Sequence, residues 1–203
     1  MIGQYINDIH EAIQCGDKYR LLAHLSHYRE YGYLHRIPEV ESAILDIKED
    51  RDWMFAVGYA DTIIGGRWEE LEQKILLYGS ADSQEALSKR ARWALAYSRD
   101  VIKGRWFEAE QLILRDFRVA ISYTKQIRKK RWPELEHYLI RTNIDDAVLY
   151  AMEMLTDRWL ELEDYLLEYR NDWGVPLWSI YQRFLNMIGK EIDVWDSKHE
   201  IWE

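Results

Sequence analysis

The sequence predicts an all-α protein of stacked antiparallel helix pairs, a short α-solenoid-like array with atypical terminal caps. Three observations predict it. Four Arg-Trp dipeptides recur in one setting, the apolar residues around them have helical spacing, and each copy breaks at the same place.

Aligned on the dipeptide, the copies read AVGYADTIIGGRWEELEQKIL from Ala56, ALAYSRDVIKGRWFEAEQLIL from Ala94, AISYTKQIRKKRWPELEHYLI from Ala120 and AVLYAMEMLTDRWLELEDYLL from Ala147. The shared pattern is A-x-x-Y-x8-W-x-E-x-E. Tyr59, Tyr97, Tyr123 and Tyr150 stand nine positions before Trp68, Trp106, Trp132 and Trp159, and Ala56, Ala94, Ala120 and Ala147 stand three before the tyrosines. Such a unit cannot bury its apolar face alone and does so by stacking on its neighbours.

In chain order, a single helical-repeat domain over 1–203 begins with an N-terminal cap at 1–24. An eroded copy follows at 25–52, where Tyr28 precedes Ile37 by nine residues and RIPEVESAIL matches RWPELEHYLI. The repeats proper occupy 53–78, 79–116, 117–143 and 144–172, and a C-terminal cap takes 173–203, in which LWSIYQRFLNMIGK reads as one more first helix. Terminal copies depart from the pattern because one face has no neighbour.

Each copy divides into two short amphipathic helices. Ala56, Tyr59, Ile63 and Ile64 form one set at i, i+3, i+7, i+8, and Trp68, Leu71, Ile75 and Leu76 form the next. The break falls at GG, KG, KK or TD before Arg-Trp. Pro133 supports that boundary, since proline at the first helical position sacrifices no hydrogen bond. Glu70, Glu108, Glu134 and Glu161 then lie in the first turn of the second helix, where the dipole favours negative charge. Equivalent positions are separated by 31, 38, 26 and 27 residues, and the longest step holds GSADSQEALSKRAR, where Ser83 is placed to cap a lengthened helix running to about Lys103.

Composition narrows the function classes. The 203 residues carry a net charge of −9, 48% hydrophobic residues and a single cysteine, which excludes wholesale disorder and an internal disulfide. No apolar run approaches the roughly 18 residues of a membrane span, and the N-terminus lacks a basic segment followed by an apolar one, so a cytoplasmic location with no membrane partner is expected. Charge is uneven: residues 1–50 carry −4, 51–100 carry −1, 101–150 carry +3 and 151–203 carry −7.

GRWEELE and YSRDVIKGRWFEAE resemble a tandem repeat of bacteriophage proteins with a Y-A-x-x-V-I-K-G-R-W-P-E-A-E flavour. The resemblance covers about residues 56–167. It implies a helical fold, a phage origin and hence a host-cytoplasmic setting, and it implies no fixed activity and no catalytic residue.

Among the repeated residues, the tryptophans share the apolar stripe of Leu71 and Ile75, so they read as packing elements seated against the small Ala56, Ala94, Ala120 and Ala147. Glu72, Glu110, Glu136 and Glu163 fall four residues after each tryptophan, beside the apolar face, where a carboxylate needs partners. The repeated Tyr hydroxyl and the Arg before each Trp are the candidates. Lys125, Arg128, Lys129 and Lys130 form a basic run able to touch phosphate or an acidic protein, and also a helix end where cations are favoured. Trp195 and Trp202 lie on the apolar edge of an acidic tail that can dock as the terminal cap or present aromatic anchors to a partner. His24 and His27 are an i, i+3 pair without further ligands at metal spacing, and no nucleophile, phosphate-loop or dinucleotide motif is present.

These features point away from an enzyme, a cofactor or a metal, and toward a protein-binding module, with phage origin implying an inhibitor or modulator of a host defence protein. Two other readings stay open: an acidic mimic of nucleic acid that occupies the phosphate groove of a DNA- or RNA-binding protein, and a virion or assembly component that associates with itself as a homo-oligomer. Direct nucleic-acid binding is not expected of a chain this acidic.

Overall fold

The computed structural model describes residues 38–46, 50–77, 83–168 and 175–189 without interruption, and residues 7, 8, 11, 12, 14, 15, 17, 20, 21, 23, 24, 27 and 36 before them. All regular structure among the described residues is helical, with no strand. The chain separates into two compact units, Met1–Ile127 and Arg128–Glu203.

In the first unit, α1 (Pro38–Leu45) is followed by α2 (Asp50–Tyr59), which winds into a π-helical turn, π1 (Ala60–Ile64), and then by α3 (Glu69–Leu77). Next come α4 (Gln84–Tyr97) with π2 (Ser98–Ile102), α5 (Phe107–Ile113), and α6 (Phe117–Tyr123) passing into π3 (Thr124–Arg128), within which the first unit ends. Each second helix contacts the next first helix, α3 on α4 and α5 on α6, while α2, α4 and α6 touch in succession.

Local chemistry explains these ends. The Ser83 hydroxyl accepts the Ala86 N–H at 3.2 Å and opens α4, and the Asp116 carboxylate accepts the N–H groups of Arg118 and Val119 and opens α6. At the far end of α3, the Arg90 guanidinium donates to the carbonyls of Ile75 and Leu76, which satisfies orphan acceptors and sets a cation at the negative end of the dipole. Burial lowers the pKa of this group.

The π-helical turns are a repeated device. Each follows directly on the tyrosine, and the buried Ser98 and Thr124 hydroxyls donate back to the Ala94 and Ala120 carbonyls at 2.7 and 2.8 Å. The chain then reverses through a left-handed residue three positions before the tryptophan: Gly65 at φ 73°, Lys103 at φ 56° and Lys129 at φ 53°. Glycine adopts this conformation freely and lysine does not. Lys129→Gly is therefore expected to stabilise the protein by about 0.5–1 kcal/mol in urea denaturation, with the entropy of a freer unfolded chain offsetting part of the relieved strain. A loss of stability would show that the Lys129 side chain is engaged in the native state.

The second unit contains α7 (Pro133–Thr142), α8 (Ile144–Met154), α9 (Leu160–Glu168) and α10 (Val175–Met187). Pro133 sits in the first turn of α7, and the Asn143 side chain accepts the Asp146 N–H at 3.2 Å to start α8. Here the first helix stays α-helical to its end and leaves through the extended Leu155, with no π turn. α8 packs on α7 and α10, and α9 packs on α7 and α10.

The recurring large residues make the core. Trp68, Trp106, Trp132 and Trp159 are at most 2% exposed, and the repeated alanines and tyrosines are fully buried. Within a copy the rings of Tyr and Trp meet at 5.4 Å for Tyr59 and Trp68, 5.1 Å for Tyr97 and Trp106, and 5.9 Å for Tyr150 and Trp159, tilted or edge-on as their quadrupoles favour. No helix among the described residues is long and apolar enough to cross a membrane. Tyr28, Ile37, Trp195 and Trp202 lie outside the described residues, as does most of both predicted caps.

Candidate functional site

Among the described residues, five similar polar networks recur. In each, the Arg ahead of the second helix forks onto the Glu five residues later. Arg67 Nε and Nη2 donate to Glu72 at 2.8 and 2.7 Å, Arg105 to Glu110 at 2.9 Å through both nitrogens, and Arg131 to Glu136 at 3.0 and 2.6 Å. Arg158 makes the same fork to Glu163. Arg36 makes it to Glu41 at 2.8 and 2.9 Å, so the eroded copy keeps the charge pair although Ile37 stands where the tryptophan would be. The spacing works because Arg lies just outside the first turn and Glu one turn inside it. Two parallel N–H···O bonds of this kind are stronger and more directional than neutral ones.

The tyrosine of the next copy completes each network. Its hydroxyl donates to the carboxylate: Tyr59 to Glu41 at 3.4 Å, Tyr97 to Glu72 at 2.9 Å, Tyr123 to Glu110 at 3.4 Å, Tyr150 to Glu136 at 3.1 Å and Tyr181 to Glu163 at 3.2 Å. The same oxygen accepts the backbone N–H of the tryptophan, from Trp68 to Tyr97 at 2.6 Å, Trp106 to Tyr123 at 2.8 Å, Trp132 to Tyr150 at 3.0 Å and Trp159 to Tyr181 at 3.1 Å. Tyr59, Tyr97, Tyr150 and Tyr181 thus pack their rings in their own copies, and the hydroxyls of Tyr97, Tyr123, Tyr150 and Tyr181 are spent on the preceding copy, satisfying a helix-entry N–H and a carboxylate together.

These bonds also fix protonation. Burial, the largest cause, raises the pKa of Tyr97, Tyr123, Tyr150 and Tyr181, and the neighbouring carboxylate raises it further. Hydrogen bonding to the partner Glu raises the pKa of Arg36, Arg67, Arg131 and Arg158. At neutral pH the phenol keeps its proton, and its hydroxyl and the guanidinium fork donate to the same carboxylate. Further out, Arg36 reaches Glu70 at 3.9 Å and Arg67 reaches Glu108 at 3.8 Å, exposed pairs of small energetic weight.

The predicted partner-binding residues fare differently. The Arg128 guanidinium stacks over the Trp132 ring at 4.5 Å, a cation–π contact, and Arg131 forks onto Glu136. Lys129 is the left-handed residue of its turn. Lys125, Lys129 and Lys130 are exposed. His24 is half-buried and His27 exposed, Cys15 is exposed, and the described residues hold no group of three or more His, Cys, Asp or Glu placed to bind a metal.

Sequence reasoning missed Tyr181 and Arg36 as members of the network. Tyr181 has Trp178 where the alanine belongs and no tryptophan nine residues on, and Arg36 precedes isoleucine. The described residues form a helical protein whose recurrent polar residues bond to one another. No family model, curated protein or solved structure matches it.

Proposed function

We propose that the protein is a non-enzymatic protein-binding module, a short α-solenoid-like stack of helix pairs with capping copies at its ends. One observation carries this reading: the recurring Arg and Glu pair within each copy and take the Tyr hydroxyl of the next, from Arg36–Glu41–Tyr59 to Arg158–Glu163–Tyr181. A network that recurs in this way is a joint, and beyond the repeated Arg67, Arg105 and Arg131 and the series Glu70, Glu108, Glu134 and Glu161, which are also exposed, the outward-facing residues differ from copy to copy. Stacked helix pairs offer those residues on extended surfaces. The resemblance of YSRDVIKGRWFEAE to a phage repeat supports a phage origin and a host protein as partner, with inhibition or redirection of that protein as the outcome.

Affinity capture from bacterial lysate, with identification of the bound protein and its reconstitution from purified components, tests the reading. A stoichiometric complex is the expected result. If the purified chain captures no protein and instead turns over a nucleotide or phosphoester, the reading fails.

A further inference from the structure

We infer that the outer face of α4 with π2 and of α6 with π3 is a recognition surface for an acidic, apolar-centred helix of a partner protein. The inference rests on the protein-binding reading above and assigns the face and the chemistry of its ligand. Arg92 and Arg118 each lie five residues before the network tyrosine of their copy, and Arg99 and Lys125 each lie two after it. All four are exposed. Tyr97 and Tyr123 make the same pair of bonds, to Trp68 N–H and Glu72 in one case and Trp106 N–H and Glu110 in the other, so the two helices are held at equivalent registers. α4 and α6 pack together. Residues seven apart on a helix share a face and stand about 10 Å apart, and packed helix axes lie about 8–10 Å apart. Each pair spans about two turns of its helix, the second cation lying in the π turn, so the four exposed cations line the outer sides of two packed helices.

The residues between the two cations of each helix are small or apolar. Leu95 and Ala96 on one helix and Ile121 and Ser122 on the other are half-buried. Asp100 holds the Arg99 guanidinium in a two-pronged bond at 2.7 Å. The arrangement has the anatomy of an interface, an apolar centre inside a charged rim. The pair of cations is confined to these two helices: the same positions are Met54 and Asp61 on α2 and π1, Asp145 and Met152 on α8, and Pro176 and Arg183 on α10. No repeat-wide structural role accounts for the cations.

The complementary ligand is a helix carrying carboxylates at i and i+7 and apolar side chains at i+3 and i+4 between them. A phosphate backbone fits less well, because it offers nothing to the apolar residues between the cations and meets a chain of net charge −9.

The test is fluorescence anisotropy with the full chain and a labelled alanine-based helical peptide bearing Glu at i and i+7 and Leu at i+3 and i+4. A Lys-for-Glu peptide and a 12-nucleotide single-stranded DNA serve as the other arms. The Glu peptide should bind saturably and more weakly as salt rises, the Lys peptide should not bind, and the exposed double variant Arg92→Glu/Arg118→Glu should lose at least tenfold in affinity with unchanged circular dichroism and melting. Equal binding by the double variant, absence of saturable peptide binding, or tighter binding of the DNA overturns the inference. Lysate capture separates the two readings: a double variant that retains the wild-type partner removes this face and leaves the module standing, whereas a wild type that captures no protein removes the module.

Discussion

Trp106→Ala should cost about 3–5 kcal/mol of stability and lower the melting temperature by roughly 10 °C. The indole is 1% exposed and meets the Tyr97 ring at 5.1 Å, while the backbone N–H of the same residue bonds the Tyr123 hydroxyl. Truncation opens a cavity on the Tyr97 side and frees the entry of α5, through which Tyr123 is held. Trp106→Phe separates these effects. The buried Trp106 Nε1 has no hydrogen-bond partner in the structure, so phenylalanine forfeits volume and no ring hydrogen bond. It should cost less than half as much as alanine, in thermal and urea denaturation followed at 222 nm. An alanine cost below about 1 kcal/mol would place the ring outside the packed core, against its burial.

What could be read from the sequence follows from which forces act within a copy and which act between copies. Ala94, Tyr97 and Trp106 declare themselves because burial on a 3.6-residue helix imposes fixed spacing. The Glu110 position can be flagged as a carboxylate in need of partners by the same geometry. Its full set of partners is less visible, because Tyr123 arrives from the following copy across a variable gap and bonds a backbone N–H that carries no residue signature. Tyr181 shows the cost of that: the hydroxyl does the same work as the others, yet Trp178 and Lys190 occupy the positions that announce a repeat. The π turns are hidden for another reason. Gly65 advertises a left-handed residue, but Lys103 and Lys129 take the same conformation with a side chain that gives no hint of it. Sequence thus shows where each helix pair is packed and conceals how successive pairs are keyed.

The keys themselves predict a steep alkaline transition. Tyr97 and Tyr123 in the first unit and Tyr150 and Tyr181 in the second all have pKa values raised above the ordinary 10.0, first by burial and then by the carboxylate each hydroxyl faces. Above pH 10 the unfolded chain releases these protons while the folded chain retains them. The folded state then binds more protons than the unfolded state, so stability falls as pH rises. Each such phenol contributes a slope of about 1.4 kcal/mol per pH unit, which gives roughly 3 kcal/mol per unit of pH within each of the two units. Two pH units above 10 then remove about 6 kcal/mol, so a unit near the lower end of ordinary stability, about 5 kcal/mol, is expected to unfold by about pH 12. Tyrosinate absorbance at 295 nm should rise in a step that coincides with loss of helical circular dichroism at 222 nm. Tyr150→Phe removes one titrating group together with the acceptor for Trp132 N–H and a donor to Glu136, so it should lower stability at pH 7 by about 1–2 kcal/mol and flatten the alkaline slope of its unit by about half. Smooth ionisation of these phenols near pH 10 with the helices intact would show that their hydroxyls are not the sequestered donors that key one copy to the next.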